Sequence, residues 1–262
     1  MRKILAIATN TFKEAIRDRI LYGFLFFAVT LILFSLVLGQ LSFNEEIRCT
    51  VDVGMAGISF FSVLMSVFLG ITLLHKEIEK RTLYPVLSKP VSRPAYLTGK
   101  FLGLVLTMAV EFALMVGVFL AVLAIQGGSP TAGLAAALVL CFVEIVLVIA
   151  MALFFTSFSS PFLSGLFCLG LFVAGRNADM MSQLGKKDTL AWLKPTFDAV
   201  GAVIPNFNLF YPSGKMVEGS WATIHDQFVT SGYMASTILY GLAYAAALLL
   251  VAIILFRRRD FI

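Results

Sequence analysis

Long apolar stretches alternate with short polar breaks along almost the whole chain. Apolar runs cover about Ile20–Leu41, Val53–Leu74, Phe101–Ile125, Ala132–Thr156 and Tyr233–Phe256, and a shorter one reaches from Phe162 to about Gly175. A helix rises about 1.5 Å per residue, so roughly 20 apolar residues cross the hydrocarbon core of a bilayer. None of these runs alternates residue by residue as lipid-facing barrel strands do. Backbone polar groups in lipid must be satisfied within the segment, which leaves helices. The expected class is an all-α membrane protein: six transmembrane helices in one domain over residues 1–262.

Two segments break the rhythm. In the first nineteen residues, Ile4, Leu5, Ile7, Ala8, Phe12, Ala15 and Ile16 recur at helical spacing. Arg2, Lys3, Asn10, Lys13, Glu14, Arg17 and Asp18 fill the other face. This predicts an amphipathic helix in the membrane interface, its basic residues toward anionic headgroups. The polar residues interrupt the apolar stretch too early for the core of a cleavable signal peptide. The second segment, 176–232, carries apolar residues at roughly helical spacing around Leu190–Leu193 and Phe197–Ile204, broken by Pro195, Pro205 and Pro212. Trp192, Tyr211 and Trp221 suit a headgroup boundary. Short external helices between spans five and six are expected there.

Composition narrows the class further. The chain is 60% hydrophobic and 13% charged, where soluble domains carry about 25% charged residues. The formal net charge is +5, and the basic residues are unevenly placed. Fourteen of the twenty Lys and Arg residues fall in the N-terminal segment, in residues 75–100 and in the tail Arg257-Arg258-Arg259. The positive-inside rule then puts both termini in the cytoplasm. The basic excess is thereby explained without a nucleic-acid partner. Cys49, Cys141 and Cys168 include no C-x-x-C pair, so neither a disulfide framework nor a zinc site is expected.

Motifs exclude most catalysis. Gly99-Lys100 is followed by Phe101 and Gly214-Lys215 by Met216, so neither is a nucleotide-binding phosphate loop. His75 opens H-K-E-I-E rather than H-E-x-x-H, and no serine sits in G-x-S-x-G. No enzyme activity, cofactor or metal is expected of the chain itself.

The polar island at 75–100 holds six of the twenty basic residues together with features that topology does not require. Glu77, Glu79, Lys80 and Arg81 can pair across an interface and set its register. Leu83, Tyr84 and Leu87 offer an apolar anchor, and Pro85, Pro90 and Pro94 stiffen the segment. With Thr82, these residues form a candidate docking surface. The runs Glu77-Ile78-Glu79-Lys80-Arg81-Thr82-Leu83, Leu87-Ser88-Lys89-Pro90-Val91-Ser92-Arg93 and Gly99-Lys100 resemble the loop between spans two and three of ABC transporter permeases of the type 2 exporter class. The segments 11–19, Ile204-Pro205-Asn206-Phe207 and Phe256–Phe261 are similar to the same class. Within it the chain looks most like the branch that includes permeases linked to copper-enzyme maturation. The resemblance implies a bacterial inner-membrane permease working as a dimer, its second subunit identical, with two copies of a separate ATPase. A short helix in the island would fit a groove on that ATPase.

Two carboxylates stand inside spans. Counted along their helices, Glu111 and Glu144 both fall near mid-membrane. A carboxyl in lipid costs several kcal/mol, so each is expected to face the bundle or a neighbouring subunit. Each serves either a polar translocation path or an interhelical hydrogen bond. In an ion-coupled secondary transporter or channel, the alternative to an ATP-driven permease, they would be the coupling sites.

Overall fold

The computed structural model describes residues 2–41, 45–79, 92–178, 204–211, 215–217, 220–222 and 231–258. Among them seven helices form: α1 (Arg2–Ile16), α2 (Arg19–Leu41), α3 (Glu46–Glu79), α4 (Arg93–Ile125), α5 (Ala132–Thr156), α6 (Pro161–Arg176) and α7 (Ser231–Arg258). Five of them, α2 to α5 and α7, are long and apolar enough to cross a membrane. The sixth apolar helix, α6, has 16 residues, about 24 Å of rise, and falls short of the roughly 30 Å hydrocarbon core.

Pairings at the helix ends fix the arrangement. The starts of α2 and α4 meet the ends of α3 and α7: Lys76 Nζ lies 2.9 Å from Asp18 Oδ2, and Tyr96 stacks on Phe256. This end of the bundle, which carries the island, is called the island end. At the far end, Gly39 of α2 approaches Thr50 of α3 and Gln126 beyond α4. Helix α5 is the hub. Nearly every residue from Leu140 to Phe155 is buried, whereas α2 and α7 turn most of their surface outward. The outward residues include Phe26, Phe27, Leu239 and Ile254. They are large and apolar because their solvent is lipid.

Helix α1 is separate from α2, not an extension of it. The chain turns at Arg17-Asp18, where the amides of these two residues donate to the carbonyls of Glu14 and Ala15. Asp18 Oδ1 then accepts from Ile20 N–H at 3.1 Å, capping the start of α2. The apolar face of α1 lies along α4, burying Ala8, Thr11 and Ala15. Gly99 and Gly103, spaced four apart, form the seat. A Cβ on Gly103 would lie 2.6 Å from Thr11 Cβ and 2.7 Å from the Ala8 carbonyl oxygen, so only glycine permits this approach.

Three boundaries differ from the sequence expectation. Helix α3 begins at Glu46, where a polar loop was expected, and runs on through Lys76 to Glu79. Lys and Glu are good helix formers, so polarity ends the span without ending the helix. Helix α4 begins at Arg93 with Pro94 in its first turn, where proline's missing N–H costs nothing. The island's ends are therefore helical, and residues 80–91 between them lie outside the described residues. Beyond α6, the described residues of the segment read as short helices hold a 3-10 turn, Phe207–Phe210, and an antiparallel strand pair, Lys215–Val217 with Ser220–Ala222. Met216 lies opposite Trp221, and only Glu218-Gly219 joins the strands. Val217 and Trp221 favour strands, and the glycine at 219 suits a two-residue hairpin link. The apolar cluster at 190–193 lies outside the described residues.

Candidate functional site

The short helix α6 ends inside the bundle, and that is what builds the site. Counted from the turn at residues 157–160, Arg176 stands about 22 Å up α6 and Glu144 about 18 Å up α5. The two meet there, Arg176 Nη1 donating to Glu144 Oε1. Glu144 is fully buried. Ser59 of α3 completes the cluster, its Oγ 3.5 Å from Glu144 Oε2 and 3.5 Å from Arg176 Nη2. The guanidinium carbon lies 4.6 Å from the centre of the Tyr211 ring and 5.7 Å from that of Phe172. Three helices and the segment after α6 thus converge on one ion pair.

Residues 204–211 fill the space that α6 leaves. Phe207 and Phe210 are fully buried against α5, α6 and α7. Non-helical backbone at this depth requires partners. Asn206 N–H donates to Tyr240 Oη at 3.1 Å, and Tyr233 Oη donates to the Leu209 carbonyl at 2.8 Å. Gly175 lets the segment close on α6, since a Cβ there would collide with the Pro205 carbonyl oxygen and the Phe207 ring. Chemically the cluster is a fixed cation beside a fixed carboxylate, held at one edge by an aromatic face. It can hold or release the outer segment. It can also exchange its internal pairing for contacts with a polar or charged solute.

Glu111 is elsewhere. It lies on the α4 stripe Leu97, Leu104, Glu111, Met115 and Val122, all buried, and neither carboxyl oxygen has a hydrogen-bond partner among the described residues. Glu144 has Arg176 and Ser59 beside it, so the two in-span carboxylates have different surroundings. Among the described residues, no group of three His, Cys, Asp or Glu side chains is placed to hold a metal ion.

At the island end, two ion pairs bind the flanks of residues 80–91 to the α1–α2 corner. Lys76 pairs with Asp18 across α3 and α2. Lys100, almost completely buried, points its Nζ to within 3.5 Å of Glu14 Oε2 on α1. Burial pushes the Asp18 carboxyl up, but the bonds from Lys76 and from Ile20 N–H outweigh it, and the group rests below the ordinary carboxylate value. Of the candidate docking residues, Glu77 and Glu79 fall in the last turn of α3. Lys80, Arg81, Thr82, Leu83, Tyr84 and Leu87 lie outside the described residues.

Sequence reasoning found Glu144 but missed its partner, since Arg176 entered only as the first residue of the external segment 176–232. The available signal was arithmetic. Helices joined by a four-residue turn can be counted upward from that turn, and the count places Glu144 and Arg176 within about 5 Å in height. Ser59 and Tyr211 carried no comparable signal, because their distance along the chain is not tied to any turn.

A protein-family model described as "ABC-2 family transporter protein" matches residues 5–261. No curated protein matches the chain.

Proposed function

The chain belongs to the ABC-2 transporter family, and on that premise we propose that it is a permease subunit whose residues 75–100 dock a separate ATPase. Two permeases, the second identical to the first, form the translocation path above two ATPase copies. Both termini and the island face the cytoplasm of a bacterial cell, as the basic-residue bias directs. Glu77, Glu79, Lys80, Arg81 and Thr82 set the docking register, and Leu83, Tyr84 and Leu87 anchor it. The island's motifs are most similar to the branch that includes copper-enzyme-maturation permeases, and this narrower placement is part of the proposal.

The observation that carries this reading is the pair of ion pairs at the island end. The two helices that flank residues 80–91 are both tied to the α1–α2 corner, through Lys76–Asp18 and Lys100–Glu14. A force applied at the docking segment would pass into α1, α2, α3 and α4 together. Helix α3 also carries Ser59 of the Glu144–Arg176 cluster, so a shift or tilt of that helix reaches mid-bundle. In this account the cluster is a polar step on the path, and it opens when α3 moves relative to α5 and α6.

Charge reversal tests the docking role. Glu77→Lys with Glu79→Lys is expected to reduce recovery of the ATPase with the permease by about tenfold or more, since like charges at an interface cost several kcal/mol. The permease itself should still be monodisperse, because both residues lie beyond the span. Full recovery of the complex with normal ATP hydrolysis would remove the docking role. The unpartnered carboxyl of Glu111 favours a second reading, ion-coupled transport through Glu111 and Glu144. Under that reading the double reversal leaves transport intact, and collapse of the proton or sodium gradient abolishes it.

A further inference from the structure

Between α2, α3 and α6 lies an apolar trough of about 520 Å³, lined by Phe24, Leu64, Phe68, Thr72, Phe162 and Leu169 among others. We propose that it holds one acyl chain of an anionic phospholipid, whose headgroup sits at the island end; placing that end in the cytosolic leaflet rests on the orientation proposed above. Three observations point to this occupant. The first is capacity: a cavity of about 150 Å³ accepts one benzene, so this one has room for roughly twenty carbons, the bulk of a single lipid chain.

Depth is the second. From Leu64 to Thr72 the trough runs about 12 Å along α3, most of the hydrocarbon thickness of one leaflet. Its lining residues Phe162 and Leu166 are themselves exposed and apolar, as lipid-facing residues are.

Third is the chemistry at its mouth. One turn beyond Ile71 and Thr72, on the same face of α3, stand His75 and Lys76. His75 Nδ1 is buried and has no hydrogen-bond partner among the described residues. Lys76 is half exposed beside Asp18. Arg17 and Arg19, next to that aspartate in the α1–α2 corner, are exposed and form no ion pair among the described residues. A trough with apolar walls and cationic residues at one end matches a phospholipid tail and phosphate.

The experiment uses the full chain alone in liposomes, so failure of the ATPase reading leaves it unaffected. The probes are phosphatidylglycerol and phosphatidylcholine, each with a diazirine on one acyl chain, and adducts are mapped by mass spectrometry after illumination. Phosphatidylglycerol adducts should concentrate on Leu64, Val67, Ile71, Leu166 and Leu169. They should exceed phosphatidylcholine adducts about fivefold, the factor one basic residue supplies at an anionic surface. Gly165→Leu should abolish them by filling the trough. Gly165→Ala is the folding control and should keep them, since its Cβ would sit 3.6 Å from Ile71 Cδ1 in ordinary contact. Arg17→Gln with Arg19→Gln should remove the preference for phosphatidylglycerol while leaving phosphatidylcholine adducts unchanged. Adducts of both lipids spread evenly over Phe26, Leu239 and the trough would overturn the proposal. So would efficient disulfide formation between two copies of a Gly165→Cys chain, which would place a second copy in the trough.

Discussion

Arg176→Met should destabilise the protein by about 3 kcal/mol in detergent, because it leaves Glu144 buried in the bundle without its cation. The cost has two parts. The carboxylate loses its charged donor, and the Ser59 hydroxyl at 3.5 Å is a weaker, uncharged one. Tyr211 also loses the guanidinium beneath its ring, which loosens residues 204–211 over α6. Glu144→Gln combined with Arg176→Met should recover most of the loss, since an amide needs no counter-charge and methionine keeps much of the packing. Thermal unfolding of the two single variants and the double variant checks this. Equal losses that add in the double variant would mean that the two side chains do not act as a pair. Arg176→Lys should fall between, because a point charge cannot reach Glu144 and Ser59 together.

Gly103→Leu should detach α1 from α4. The glycine lies against Thr11 and the Ala8 carbonyl with no space for a side chain. Overpacking a closed interface costs about 1–3 kcal/mol, and here the helix can escape the strain by leaving. The expected result is a protease-sensitive N-terminus and loss of the buried Lys100–Glu14 contact, with α2 to α7 still assembled. Leaving also gives up the whole α1–α4 packing, not only the Lys100–Glu14 contact, so the damage should exceed that of Glu14→Gln. Limited proteolysis alongside thermal unfolding reads both effects. A Gly103→Leu protein with α1 still protected and unchanged stability would refute the close seat.

The helices were legible because each span writes its own signal: about twenty apolar residues with polar ends need no tertiary context. The same logic found α1, where the 3.6-residue period stands out against charged neighbours. It failed where polarity and helix ending are different things, at Glu46 and at Lys76–Glu79. The strand pair at Lys215–Ala222 was not foreseen, because the apolar spacing that suggested short helices lies earlier, at 190–204. The candidate site was half legible. A carboxylate within a span is conspicuous, so Glu144 and Glu111 could be named. What each one meets depends on how helices rotate against one another, and one-dimensional spacing holds little of that. Glu144 found a cation on a truncated helix, and Glu111 found none. Gly99 and Gly103 showed the reverse problem. Their spacing was present in the sequence, but only the approach of α1 reveals what that spacing is for.

Contact between residues 75–100 and an ATPase is the central element of the proposed function. The direct measurement is site-specific cross-linking from Leu87→Cys to a co-expressed ABC ATPase, in membranes, with and without ATP. A cross-link is expected at Leu87 whose yield changes with nucleotide, and none from Ser129→Cys, just beyond Gln126 at the far end of the bundle. A Leu87→Cys chain that remains unlinked to any ATPase in every nucleotide state, while transport continues, would contradict the docking role.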